Sequence, residues 1–161
     1  MSDISDKNNA MAEYLMSLPY IKEHPLYFNF GEIEDGSKQL IAQSMDISIN
    51  KHYVDGGEGR RYTVTLVDFK SIGYNALVQG KDNENISDIL ETQQIIDWVT
   101  EQNEKMNYPD FGDKCEVEKI YATTNTPHLE NVDTSTNPAI AEYTVTIVVE
   151  YIDNTKVIWN T

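Results

Sequence analysis

The chain has 161 residues, 40% of them hydrophobic and ten of them tyrosine, which is enough for one domain with a sizeable core and argues against disorder. Twelve Lys and Arg stand against 27 Asp and Glu, a formal net charge of −15, so a basic surface for phosphate is disfavoured: little cation is present to displace counterions. The plain reading of the charge is a solvated acidic surface that aids solubility.

Cys115 is the only cysteine, which rules out an intrachain disulfide and fits a reducing compartment. The N-terminal "MSDISDKNNAMAEYL" lacks the basic n-region and apolar h-region of a signal peptide. Apolar runs such as "IVV" at 147–149 fall far short of the roughly 18 residues of a membrane span. A soluble product made and assembled inside the cell is the expectation.

The first element is a helix from Ile4 to Leu18, where Ile4, Met11, Tyr14, Leu15 and Leu18 fall at helical spacing and Pro19 stops the pattern. "PLYFNFGEIEDGSKQLIAQSM" follows as an extended, turn-broken stretch with Gly31 and Asp35-Gly36 as turn signals. A strand is expected from Asp46 to Tyr53, with Ile47 and Ile49 on one side and Lys51 next in the alternation. "YVDGGEGRRYTVTLVDF" then reads as a hairpin: two extended arms flank "DGGEG", whose glycines allow positive φ. On its second arm Tyr62, Val64 and Leu66 alternate with Arg61, Thr63 and Thr65, giving one apolar and one polar face.

The polar "GKDNENISD" leads into a second helix, from Ser87 or Asp88 to Lys105, with Asp88 and Glu91 as a capping box. Ile89, Leu90, Ile96, Val99 and Met106, with Trp98 alongside, make a stripe broad enough to lie on a sheet. Pro109 in "NYPDFG" forces the helix to end before Tyr108, because the residue preceding proline is driven out of the α region. That punctuation does not require Phe111, a large apolar residue in a loop, which is expected to bury and to fix the exit of the helix together with Pro109 and Gly112. A strand "CEVEKIYAT" and a polar loop with Pro127 and Pro138 lead to the last strand, "AEYTVTIVVEY". There Ala141, Tyr143, Val145, Ile147, Val149 and Tyr151 share one face and Glu142, Thr144, Thr146, Val148 and Glu150 the other. Helix, strands, helix, strands makes one α+β domain over residues 1–161, a mostly antiparallel sheet with helices on one face, in which Ile96, Trp98 and Val99 pack against Ala141–Tyr151.

Chemistry is harder to find. His24, His52 and His128 are scattered, and none stands at i, i+4 beside a carboxylate, so a metal site would have to be assembled by the fold alone. No motif flanks Cys115 to mark a nucleophile. "DGGEG" is followed by no Gly-Lys-Ser/Thr, and Glu58 would repel a phosphate. Carboxylates are too many for any pair to stand out as an acid and base. Arg60-Arg61 is the only basic doublet; it reads either as a solvated hairpin end or as a salt-bridge donor to an acidic neighbouring chain, on a loop that three glycines leave loose. Neither an enzyme nor a cofactor is expected.

Three stretches carry a family resemblance. "YLMSLPYI" is similar to a Tyr-Leu followed by a short Cys-Pro or Leu-Pro turn; "KHYVDGGEGRRYTVTLVDF" to a Tyr-x-Asp-Gly turn and aromatic strand; and "IIDWVTEQNEKMNYPDFG" to Trp, Glu-Gln-Asn and then Leu-Pro-x-Leu-Gly. In this order, over residues 11 to about 152, the chain resembles the tail terminator (tail-completion) proteins of tailed phages of Gram-positive bacteria, often labelled minor capsid proteins. Tyr108 and Phe111 stand where leucines are usual, which keeps an apolar-Pro-x-apolar-Gly ending. The resemblance implies a homohexameric ring, assembled from monomers in some relatives, at the head-proximal end of a virion tail. It would stop tube polymerisation and offer the joining surface for head-completion proteins. Implied partners are other copies of the chain, the tube protein, the head-completion or connector protein and, in a contractile tail, the sheath. DNA would slide through a negative pore without specific binding, and no membrane is involved. Tyr53, Asp55, Glu58, Arg60 and Arg61 are the expected interface; Trp98, Pro109, Phe111, Gly112, Tyr143 and Ile147 are the expected structural residues. Another head–tail connector, the collar of a phage-tail-like bacteriocin, and a small acidic binding or inhibitor module are the alternatives.

Overall fold

Alternation along two 15-residue strands organises the sheet, and the helices pack on the face that carries most of the apolar residues. The computed structural model describes residues 3–19, 26–28, 39–72, 83–135 and 139–157. Within them the elements are α1 (Asp3–Leu15), β1 (Leu26–Phe28), β2 (Gln39–His52), β3 (Glu58–Ile72), α2 (Asn83–Glu104), β4 (Cys115–Ala122), β5 (His128–Asp133) and β6 (Ala139–Asp153). The order in the sheet is β1-β2-β3-β6-β4, with β5 also on β6. Every pairing is antiparallel except β1 with β2. β3 and β6 pair along their whole length, from Glu58 opposite Asp153 to Ile72 opposite Ala139, and form the centre of the sheet.

Tyr62, Val64 and Leu66 of β3 face the helices with Val145, Ile147, Val149 and Tyr151 of β6 and Ile120 of β4. Onto them pack Met11, Leu15 and Leu18 from α1 and its exit, and Ile95, Ile96, Trp98 and Val99 from α2. All are buried, and at about 25 cal/mol per Å² of apolar surface this cluster is the main source of stability. Trp98 and Tyr14 bring the helices together, ring centroids 5.2 Å apart, and the Tyr14 hydroxyl donates to the Asn107 carbonyl at 2.7 Å. Tyr143 is buried with Ala141 in a smaller cluster further along β6. Arg61, Thr63, Thr65, Thr144, Thr146 and Glu150 lie partly exposed on the opposite face. This is the expected α+β architecture, with a mostly antiparallel sheet.

The differences lie at element ends. β2 starts at Gln39 rather than Asp46, because a bulge between Gln43 and Asp46 shifts the register and breaks the alternation that marks a strand in sequence. Gly31, Asp35, Gly36 and His24 lie outside the described residues. Ile47 packs on the core, but Ile49 stays 48% exposed: it stands opposite Arg60, where β3 carries charge instead of apolar cover. The polar loop before the last strand contains β5, which runs on from β4 along the same edge of β6. Its "HLENVD" has little apolar alternation, and pairing to β6 is what makes it a strand.

α2 begins at Asn83, a turn before the expected cap, so Asp88 and Glu91 lie inside the helix. The side chains of Ile89 and Leu90 lie outside the described residues. The helix also ends by a different device from proline. Asn107 N–H donates to the Gln102 carbonyl (2.9 Å) and Met106 N–H to Asn103 (3.1 Å), with Met106 at φ 56°: a Schellman cap that closes before Tyr108-Pro109. Met106 therefore turns out of the apolar stripe and is 73% exposed. Past the cap, the Tyr108 hydroxyl donates to the Glu118 carbonyl (3.1 Å), and Asn103 Oδ1 accepts from Ile120 N–H (3.0 Å), so the end of α2 blocks the outer edge of β4.

A non-glycine residue in the left-handed region costs about 1–2 kcal/mol. Met106→Gly is accordingly expected to stabilise the folded chain by about 1 kcal/mol, less some added freedom of the unfolded chain. The unfolding midpoint in urea checks this; an unchanged or lower midpoint would mean that Met106 contributes packing the geometry does not show.

Candidate assembly surface

The β2–β3 turn and the ends of β4 and β6 meet at one end of the sheet. Tyr53 N–H donates to the Gly57 carbonyl (2.8 Å), Gly56 N–H to the Tyr53 carbonyl (3.1 Å), and Gly57 N–H to Asp55 Oδ1 (2.9 Å). Gly56 sits at φ 98°, and a Cβ there would lie 2.3 Å from the Lys156 carbonyl oxygen, so backbone angle and close approach both require glycine.

Beneath the turn is a cluster of charges. Glu58, 4% exposed, accepts from Lys156 Nζ at 2.8 Å and pairs with Arg60 at 3.4 Å. Arg60 Nε lies 3.5 Å from Asp153, which itself takes the Thr155 N–H (2.9 Å) and hydroxyl (2.7 Å) on Oδ1. The hydrogen bond from Lys156 is the main reason the Glu58 carboxyl lies below its ordinary range, with the charges of Lys156, Arg60 and His52 assisting against burial. Burial acts to raise the Asp153 carboxyl, but the Thr155 hydrogen bonds, Arg60 and Lys7 outweigh it and lower it. Both shifts have one sign. The unfolded chain binds protons that the folded chain refuses, so this stability is present above the ordinary carboxylate range and lost as the pH falls below about 4. Urea unfolding at a series of pH values should show that loss, with a shallower slope for Asp153→Asn. An equal slope in the variant would remove Asp153 from the account.

Arg61 meets Glu150 on the polar face at 3.0 Å, and the Tyr121 hydroxyl donates to the same carboxylate oxygen at 3.3 Å. Both arginines thus have partners in their own chain, and the loop is tied down by hydrogen bonds and by Lys156. Arg60 is engaged with Glu58 and Asp153 and Arg61 with Glu150, so reaching an acidic neighbour would mean sharing or exchanging these partners. The partners Glu150, Asp153 and Lys156 are remote in sequence, and no local pattern marks them. What projects is apolar: Val54 is 97% exposed and Tyr53 41%. Tyr53, Val54, Asp55, Glu116, Ile152 and Asn154 line an open groove of about 460 Å³.

Of the expected structural residues, Pro109, Phe111 and Gly112 belong to the segment next to this surface, whereas Trp98 and Ile147 lie in the main core and Tyr143 in the smaller cluster further along β6. Phe111 is buried, edge-on to Tyr62 (5.6 Å between centroids) and to Tyr151 (5.1 Å), with Lys7 Nζ 5.7 Å from its ring centre. Pro109 is buried as well. Gly112 takes φ 101° and donates its N–H to Asp110 Oδ1 at 3.0 Å; a Cβ there would meet nothing, so only the backbone angle calls for glycine. The Tyr-Pro-Asp-Phe-Gly segment thus plugs the end of the core nearest the ion-paired turn. His52 and His128 are exposed, His128 beside Glu130 at 3.5 Å. Among the described residues no group of three or more His, Cys, Asp or Glu could hold a metal ion, and no helix is long and apolar enough to cross a membrane.

Comparison with protein-family models and with curated proteins finds no match to the chain.

Proposed function

We propose that the protein is a tail terminator, a structural ring subunit that caps the head-proximal end of a phage or phage-like tail tube and forms the joining surface for head-completion proteins. The observation that carries this reading is the projecting Tyr53–Val54 tip on its ion-paired base: two exposed apolar residues presented on a fixed turn, which is the chemistry of a protein contact. The tip belongs to the hairpin that carries part of the sequence resemblance. On the face away from the helices, Arg61, Thr63, Thr65, Thr144, Thr146 and Glu150 are partly exposed and offer polar groups for further contacts. Six copies at −15 each would make a strongly acidic ring, which offers DNA phosphate little to bind as the duplex passes.

The experiment is deletion of the gene in the system that encodes it, followed by electron microscopy of the tails. Overlong tubes that fail to join heads are the expected result. Tails of uniform, normal length on filled heads would overturn the proposal. A monomer that ignores tube protein and binds a basic partner would favour the acidic binding module, which the charge also permits.

A further inference from the structure

The groove at the hairpin tip has apolar walls, Tyr53, Val54 and Ile152, and polar groups from Asp55, Glu116 and Asn154, with no cation among the described residues that line it. Its complement is an apolar side chain next to a positive charge. The chain carries such a pair at the end of α2. Met106 stands out at 73% exposure in a backbone conformation that glycine would hold without strain, and Lys105 beside it is exposed and pairs with Glu101, an exposed side chain one turn back. An exposed pair of this kind is worth little, so Lys105 can exchange partners at small cost. A strained, exposed methionine that folding does not need is a reason to look for a contact.

The two features lie on opposite faces of one sheet. Tyr151 points into the core, so its neighbour Ile152 points to the polar face, as does Glu116 in register with it; Met106 ends a helix on the other face. A copy therefore cannot satisfy its own groove, and the pairing is head to tail, the kind of contact that closes into a ring when the rotation is right. We infer that the Lys105–Met106 corner of one copy seats in the Tyr53–Val54–Ile152 groove of the next, Met106 against the apolar wall and Lys105 against Asp55 and Glu116. This contact deepens the ring reading and rests on it.

The test uses the full chain with and without the tail-tube protein, and reads assembly by mass and folding by urea denaturation. Val54→Asp changes a residue that the fold leaves in water and should keep the unfolding midpoint while weakening self-association about tenfold or more. Met106→Gly should raise the midpoint and yet weaken association, opposite signs that a purely structural role would not give. In a Cys115→Ser background, Val54→Cys with Met106→Cys should cross-link through a short bis-maleimide into a ladder of multimers ending at six. If the unsubstituted chain forms six-membered particles but the double variant gives no ladder and Val54→Asp still assembles, this contact is wrong and the ring stands. If no condition yields a ring, the ring reading and the contact fall together.

Discussion

Replacing Ile147 with aspartate is expected to abolish folding. Ile147 is fully buried in the middle of β6, opposite Val64, in the cluster that both helices cover. A carboxylate there would sit among apolar side chains and would lose the contacts the isoleucine makes. Either it ionises without a partner or it binds a proton to stay neutral, and the cost is several kcal/mol in a domain whose total stability is about 5–15. Circular dichroism during thermal unfolding is the check: loss of the cooperative transition is expected. A soluble Ile147→Asp protein with a normal transition would place the core elsewhere.

Phe111→Ala should cost about 3 kcal/mol, the lower range for truncating a buried phenylalanine. The ring closes the core between Tyr62 and Tyr151, and both edge-on contacts vanish with it. Because Tyr151 neighbours Arg60 across the sheet, the cavity opens beside the ion-paired base of the hairpin. The loss should therefore include weaker protection of the Tyr53–Glu58 amides in hydrogen exchange as well as a lower urea midpoint. Phe111→Leu keeps apolar volume and should cost clearly less. A change in Phe111→Ala within ~0.5 kcal/mol, the range usual for surface sites, would reduce the Tyr-Pro-Asp-Phe-Gly segment to a surface turn.

What was legible in the sequence was whatever repeats with a local period. β3 and β6 show their two faces residue by residue, and Ile96, Trp98 and Val99 mark the buried side of α2, so the sheet and the helix-covered face could be read directly. Interruptions hid the rest. The bulge in β2 displaced its apparent start, β5 owes its strand character to pairing with β6, and the cap at Met106 uses a residue with no left-handed preference, which local propensity cannot announce. At the candidate surface, the glycine turn and the arginine doublet were visible. Their partners were not, since Glu150, Asp153 and Lys156 reach them only once β3 and β6 are paired. Buried Lys7, Asp68 with Thr92 (2.8 Å), and Gln102 are polar residues that only the tertiary fold makes interior.

The proposed tail-terminator role is tested most directly by the mass of the particle the chain forms when mixed with the tail-tube protein encoded beside it, read by native mass spectrometry with electron microscopy of the tube ends. Six copies of this chain seated at one end of each tube, with elongation at that end stopped, is the predicted result. Bare tube ends that continue to grow, with the chain left as a monomer, would contradict the account.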